Sequence, residues 1–377
     1  MTHVPEDIAI DILLRLPVKP LLRFKCVSKT WYSLISDPCF IKSHLQLSNN
    51  HKKFVVNGSS LRGNRTNHAP YFYSVSGESA QVSVLPLRDP FLNKHLILCS
   101  CDGLLLLTTN YGSRRNHLIL RNPSTRESRQ LPMGGHRSPP ARTTHYQLCY
   151  VSSTDDYKVI QHEFHPLRRD FRVLSLKSNC WRKVKGFNYD LRLRSCINLN
   201  GALHWLLPAI SDRKIVSFSL AEETFMEMGL PRFDISAGDV VVMNLGVLQG
   251  CLCLSQTVVT PTRGYKPRPA HLPWNWLSHE VEAASVNVWS MKEYGDTTSW
   301  TKLIAIPQVP LRDCKAISPD SPFPFLEEAV FTMDQRLQNS ILVPYDLEEN
   351  EFETAGRQMY QLQAELAFVE SLVSPNC

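Results

Sequence analysis

Two hydrophobic rhythms divide the chain. Near the start, Ile8, Ile12 and Leu16 recur at four-residue spacing with Leu13 beside them, which is the apolar stripe of a helix. Pro5 is a favoured opening residue for that helix, and Glu6 and Asp7 place negative charge at its positive end. Pro17 and Pro20 break it and start a second, whose apolar content is Leu21, Leu22, Phe24, Cys26 and Val27. Ser28 is placed to cap a third helix carrying Trp31, Leu34 and Ile35, and Asp37-Pro38 stops it. Three helices this short cannot enclose so many apolar side chains, so the pattern predicts a module that docks on a partner.

From Phe54 onward the rhythm changes to short alternating runs separated by turn residues, the period of half-buried strands. One unit recurs six times: an apolar strand, a polar turn, and a strand ending in an aromatic or apolar residue. The copies are 71–86, 117–132, 171–184, 214–231, 286–303 and 341–356. Several follow a glycine-centred strand pair, at Gly103, Gly201 and Gly250. A spacing of roughly fifty residues falls in the range of kelch-like repeats. Each unit is a small sheet that buries both faces only by stacking on its neighbours.

The fold class predicted is mainly β with a small all-α N-terminal module, residues 1–47, followed by a propeller-like all-β domain, residues 48–377. A two-sheet sandwich and a distorted barrel are the alternatives. The apolar run AELAFVESLV (364–373) lies beyond the last copy and is expected to complete the sheet begun at Phe54-Val55-Val56.

Charge and cysteine usage narrow the function classes. Lys+Arg 41 against Asp+Glu 35 leaves a net charge of +6, mildly basic. Seven arginines (114, 115, 121, 126, 129, 137 and 142) face Glu127 alone between 114 and 142. They lack the interleaved aromatics that stack bases, so they read as a solvated face rather than a nucleic-acid groove. The 11 cysteines include no C-x-x-C pair, which excludes zinc ribbons and thioredoxin-like motifs. Cys99 with Cys101, and Cys251 with Cys253, read as small buried hydrophobes on strands.

The start of the chain is acidic, unlike a signal peptide, and no apolar run has the length of a membrane span. A cytoplasmic or nuclear site, with no membrane contact, is expected. No catalytic set, metal site or cofactor motif stands out. His162-Glu163-Phe164-His165 is one residue short of a metalloprotease pair and reads as a surface histidine pair. His204 reads as a hydrogen-bonded core histidine, and Trp181, Trp289 and Trp300 as packing between repeats.

The string VPEDIAIDILLRLPVKPLLRFKCVSKTWYSLISDPCF (4–40) resembles a plant F-box, with Val4-Pro5 where the usual opening is Leu-Pro. The segments CDGLLLL, LRNPSTRESRQLP, INLNGALHWLL, LGVLQGCLCL and VNVWSMKEY…SWTKL resemble the F-box-associated domain. The resemblance is nearer the defence-regulator type than the S-locus type. It implies a non-catalytic substrate-recognition subunit of an SCF-type ubiquitin ligase. In that reading Pro5, Ile8, Ile12, Leu13, Leu16, Pro17, Leu21, Leu22, Phe24, Cys26, Val27, Trp31, Leu34 and Ile35 bind a Skp-type adaptor. The adaptor in turn leads to cullin and RING subunits. The alternatives are a Skp-bound regulator that acts without degradation, and a propeller lectin or oxidase with an unrelated helical cap.

The β domain would then hold a protein target. The interval 260–280 separates the strand pair at Gly250 from the strand at Val286 and makes that copy the longest of the set. It carries Pro261, Pro267, Pro269 and Pro273, which exclude helix and central strand, and Tyr265, Arg268, Trp274 and Trp276, residue types that dominate binding hot spots. These four are the candidate target-binding residues.

Overall fold

In a computed structural model of the chain, the described residues are 5–48, 53–56, 71–76, 81–86, 89–92, 95–109, 117–132, 134, 144–165, 168–186, 189, 191, 196–207, 213–233, 240–261, 281–306, 325–326, 329–330, 345–346, 351–352 and 365–376.

The N-terminal module has four helices: α1 (Glu6–Leu14), α2 (Val18–Phe24), α3 (Lys29–Ser36) and α4 (Pro38–Ser48). Ser28 caps α3 as expected, its Oγ accepting from the Trp31 N–H at 3.1 Å. Two expectations change. Pro20 does not break a helix; it lies in the first turn of α2, where backbone N–H groups have no intrahelical acceptor and proline is tolerated. Asp37-Pro38 ends α3 but also begins α4: Asp37 Oδ1 accepts from the N–H groups of Cys39 and Phe40 at 2.8 and 3.2 Å, and Pro38 takes the first helical position.

The strands follow in sets. β1 (Lys53–Val56), β2 (Tyr71–Ser76) and β3 (Gln81–Pro86) come first. β4 (His95–Cys101), β5 (Leu104–Thr109), β6 (Leu118–Arg121) and β7 (Ser128–Gln130) form one sheet, and β8 (Thr144–Val151), β9 (Asp156–His165), β10 (Arg168–Ser175) and β11 (Cys180–Lys183) the next. β12 (Ile197–Leu199), β13 (Ala202–Leu206), β14 (Ile215–Ser219) and β15 (Phe225–Met228) form another, as do β16 (Val240–Leu248), β17 (Cys251–Pro261), β18 (Val281–Met291) and β19 (Trp300–Ile306). β20 (Phe325–Leu326) pairs with β21 (Ala329–Val330), and β22 (Tyr345–Asp346) with β23 (Glu351–Phe352). Last, β24 (Glu365–Phe368) adds antiparallel to β1, in register from Lys53↔Phe368 to Val56↔Glu365. The pairing of the chain's two ends is the one the sequence pattern predicts.

Each of the six repeat copies contains an antiparallel hairpin, and each glycine-centred pair is the hairpin before it. Asp102-Gly103, Asn200-Gly201 and Gln249-Gly250 all carry positive φ at both residues between paired strands, the signature of type I′ turns, whose twist suits adjacent strands. A second turn also repeats, with a left-handed residue at its end: Asn122…Arg126, Ser175…Asn179 and Ser219…Glu223. In each, the side chain of the first residue accepts from a backbone N–H inside the turn, at 2.8, 3.1 and 3.2 Å. None of these left-handed residues is glycine.

The chain divides into two compact units, Met1–Phe187 with Gln363–Cys377, and Asn188–Leu362. In the first, Cys99, Leu104, Leu106, Leu118, Leu120, Leu148, Val159 and Leu174 make one core between the β4–β7 and β8–β11 sheets. In the second, Leu206, Ile215, Met228, Met243, Leu252, Leu254, Met291 and Trp300 do the same between the β12–β15 and β16–β19 sheets.

Tryptophan placement follows the repeat. The Trp181 indole donates to Pro132 O at 2.8 Å and the Trp300 indole to Gly229 O at 3.1 Å, each tying the last strand of one sheet to the end of the sheet before it. His204 is fully buried, with Nδ1 3.2 Å from Ile197 O and Nε2 2.6 Å from the Tyr294 hydroxyl, a core histidine as expected. His162 is not a surface residue. It is buried on β9, 5.0 Å from the His145 ring and stacked near Phe171, and burial pushes its pKa down to about 3. The surface reading fails because the cross-strand neighbours of His162, His145 and Phe171, pack against its ring on the same sheet face.

Candidate functional site

The sequence-predicted adaptor residues separate into three groups. Leu13, Leu21 and Ile35 are fully buried and form the module's interior with Val18 and Phe40. They hold the helices together and present no surface to a partner. Leu16, Leu22, Phe24, Trp31 and Leu34 are half-buried against that interior, with Phe24 and Trp31 edge to face at 5.1 Å. Pro5, Ile8, Ile12, Pro17, Cys26 and Val27 are exposed. Ile8 and Ile12 are each 53% exposed one turn apart on α1, and Val27 is 66% exposed. Tyr32, 58% exposed on α3, joins this set although the sequence pattern did not single it out. An aromatic at an exposed helix position carries no periodic signal of its own.

The helix missed by pattern reading, α4, joins the module to the sheets. Phe40 and His44 face the helices, and His44 Nε2 lies 2.8 Å from Leu16 O. Leu45 faces the other way, onto the core between the β4–β7 and β8–β11 sheets, and Ile41 packs against both interiors. Lys42 Nζ meets Asp155 Oδ1 at 2.7 Å, in the turn between β8 and β9. The Lys42 ammonium, and then the Tyr150 hydroxyl, hold the Asp155 carboxyl at about 2. The module therefore sits at the end of these sheets that carries the Asp102-Gly103, Ser152–Asp155 and Asn122–Arg126 turns. In antiparallel sheets the second-to-third strand connections leave from the opposite end. In this unit those are 110–117 and 166–167.

In the second unit the corresponding connection of the β16–β19 sheet is 262–280. Strands β17 and β18 stay paired up to Pro261↔Val281, across a register shift at Thr260, so both ends of that interval leave from neighbouring strands opposite the Gln249-Gly250 turn. Tyr265, Arg268, Trp274 and Trp276 lie within it and outside the described residues.

The arginine-rich stretch is not a uniform solvated face. Arg121 is buried, with Nη2 2.8 Å from Asp89 Oδ2, Nη1 donating to Arg126 O at 3.1 Å, and its guanidinium over the Phe91 ring. Arg129 reaches Leu176 O and Asn179 Oδ1 on the next sheet at 3.1 and 2.9 Å. These are fold-holding contacts of arginine's fixed donor fork. Cys99 is buried and Cys101 half-buried on the same core, and burial raises both thiols, which leaves them unreactive neutral groups. Among the described residues no three His, Cys, Asp or Glu side chains are grouped to hold a metal.

A four-helix module followed by repeated four-stranded sheets is the architecture of a plant F-box protein with a β second part. Residues 1–43 match the F-box domain and residues 78–374 the F-box associated β propeller domain, and the chain belongs to that family. It is 30% identical over 394 residues to the F-box protein CPR1 of Arabidopsis thaliana, covering 94% of this chain and 84% of that one. It is 28% identical over 323 residues to the F-box/kelch-repeat protein At3g23880 of the same plant, covering 81% and 80%. TolB from Acinetobacter baumannii aligns with a TM-score of 0.44 at 9% identity, covering 87% of this chain and 70% of that one, a likeness too remote to carry an argument.

Proposed function

We propose that this chain is the non-catalytic target-recognition subunit of an SCF-type ubiquitin ligase, working in the cytoplasm or nucleus. Its helical module binds a Skp-type adaptor that leads to cullin and RING subunits, and its β domain holds a protein marked for ubiquitination and degradation. One observation carries the reading. The interior formed by Leu13, Val18, Leu21, Ile35 and Phe40 is closed by Leu372, yet Ile8, Ile12, Val27 and Tyr32 stay 53–66% exposed on the module. Large apolar groups left in water on a small module are what a partner helix covers, and aromatic and aliphatic anchors supply most of the energy in such interfaces. The buried Leu13, Leu21 and Ile35 support those anchors from behind.

The target surface belongs at the ends of the sheets that carry the second-to-third strand connections. In the first unit the module occupies the other end. In the second unit the 262–280 connection, which leaves from that end, carries Tyr265, Arg268, Trp274 and Trp276 in its sequence. Loops held by a rigid scaffold are where recognition usually resides.

The test of adaptor binding is the double substitution Ile8→Asp and Ile12→Asp in the full chain. Both positions are exposed, so the fold survives, while two desolvated contacts are lost. Adaptor affinity is expected to fall at least about thirtyfold, or roughly 2 kcal/mol. Unchanged capture of a Skp-type adaptor by the folded double variant would remove the basis for this function.

A further inference from the structure

The helical module does not complete its own interior. Its sixth fully buried apolar residue is Leu372, 3% exposed, from the far end of the chain. The next residue, Val373, is buried in the core between the β4–β7 and β8–β11 sheets. Two successive side chains thus enter two different hydrophobic interiors, one helical and one β.

The backbone between them is pinned. Asn122, fully buried, donates through Nδ2 to Ser371 O at 2.9 Å and Val373 O at 2.8 Å, while its Oδ1 accepts from two N–H groups of its own turn. The Ser371 hydroxyl donates to Asp102 O at 2.6 Å. The Asp102-Gly103 turn is shaped around this segment: a Cβ added to Gly103 would lie 2.3 Å from Ser371 Oγ and 2.6 Å from Val369 O. Among the described residues, no neighbour stands within 4 Å of that position at Gly201 or Gly250 in the other two turns of this type. Upstream, β24 is paired to β1. At the margin, Ser374 Oγ donates to Glu127 Oε2 at 2.7 Å, and Glu127 interacts electrostatically with Lys25 of the turn after α2.

We infer that Val369–Val373 is a positioning strap that fixes the angle of the helical module to the β4–β7 and β8–β11 sheets beneath it, so that ubiquitin delivered at the module reaches a limited arc of the lysines on those sheets. The inference rests on the ligase reading above and adds to it the element that holds the module rigidly on the first unit's sheets. A flexible joint would serve equally well for adaptor and target binding. What it would not preserve is the direction of transfer.

The experiment uses the full chain with Leu372→Ala, Leu372→Met and Ser371→Ala, alone and assembled with adaptor, cullin and RING subunits. Hydrogen exchange on the full chain decides the strap without reference to the ligase. Leu372→Ala is expected to speed exchange of α1–α4 amides at least about tenfold while β5, β6, β9 and β10 stay protected. Leu372→Met, which refills the volume, is expected to restore wild-type rates. Ser371→Ala removes the bond to Asp102 without opening a hole, and is expected to move the same amides about threefold. It decides the question if Leu372→Ala does not fold.

In the assembled ligase, adaptor capture by Leu372→Ala is expected to remain within threefold of wild type. The set of the chain's own lysines that acquire ubiquitin is expected to widen, which a purely stabilising residue would not cause. Unchanged helix exchange in folded Leu372→Ala and Ser371→Ala overturns the strap, as does an unchanged set of modified lysines. Failure of the wild-type chain to capture the adaptor overturns the ligase reading instead, and with it the strap's role in directing ubiquitin.

Discussion

The two ends of the four-stranded sheets differ in kind. At one end, three turns share one two-residue geometry, and three more share one side-chain-capped geometry that ends in a left-handed residue. At the other end the connections share only their position: 110–117, 166–167, 207–214 and 262–280 differ in length and composition. In the first unit the uniform end also receives α4 and the strap. Turns that must match strand twist and seat a second module are constrained in both geometry and chemistry. The connections of the other end vary in length and composition, and loops held by a rigid scaffold are where recognition usually resides.

The sharpest way to break the uniform end is to remove what is seated on it. Deleting everything after Gly356 takes away β24, Leu372 and Val373 together. It leaves β1 with an open edge, the helical interior with a hole, and Asn122 with two unpaired buried donors. The summed loss exceeds the usual stability of a domain, so the truncated chain is expected to aggregate. A soluble, cooperatively melting truncation in urea would mean that the chain ends do not close the fold.

A paired substitution is more discriminating. Gly103→Ala and Gly201→Ala place the same methyl at the same turn position, with φ of 80° and 72°. The left-handed conformation alone costs about 1 kcal/mol. Only Gly103 has Val369 O and Ser371 Oγ in the way, so Gly103→Ala is expected to lose about 3 kcal/mol and Gly201→Ala about 1 kcal/mol. Equal losses in denaturant melts would show that the strap does not press on the turn.

Buried histidine gives the comparison a pH axis. His162 has its pKa pushed down to about 3 by burial and by His145, against 6.5 in an unfolded chain. The unfolded state therefore binds the proton that the fold refuses. The stabilisation is full above pH 6.5 and falls as pH drops from 6.5 toward 3, by up to about 1.4 kcal/mol per unit. His162→Phe keeps a ring beside Phe171 and removes the titration. Between pH 7 and pH 5 the variant is expected to lose about 2 kcal/mol less than the wild type. Parallel pH profiles would place the acid sensitivity elsewhere.

Smaller still is the expected effect of Trp181→Phe, which keeps the ring packed but drops the indole bond to Pro132 O. About 1 kcal/mol of stability should go with it, read as a lower urea midpoint at unchanged slope. No change would show that Trp181 acts through its packed ring and not through the indole bond.

How much of this was legible follows from which signals are local. The hairpins, the glycine turns and the α3 cap are written in short windows, and the pairing of β24 with β1 could be read because an apolar run was left over at 364–373. The second turn type was hidden because its left-handed positions are Arg126, Asn179 and Glu223 rather than glycine. The division of the adaptor residues into interior and surface was not legible either. Leu13 and Ile12 are adjacent and equally apolar, and only the placement of α4 and Leu372 buries one and leaves the other in water. Leu372 itself gave no helical signal, since its partners are more than 300 residues away in sequence.

The variable end is tested by substitutions that should leave stability alone. Tyr265, Arg268, Trp274 and Trp276 lie in a connection whose bases are fixed by the Pro261↔Val281 pairing, and the four prolines within or beside it restrict its free conformations. If these four serve recognition and not packing, replacing all of them by alanine shifts stability by less than about 0.5 kcal/mol in urea melts. Adaptor capture should also be unchanged. Target recovery should collapse, by a hundredfold or more if two of the four are hot spots at about 2 kcal/mol each. Target recovery is measured by comparing proteins enriched on the full chain and on the quadruple variant while degradation is blocked. If the two enrich the same proteins equally, the 262–280 connection is a tolerated insertion. The recognition surface then belongs to the shorter connections of the other sheets, with 110–117 and its Arg114 and Arg115 the first to substitute next.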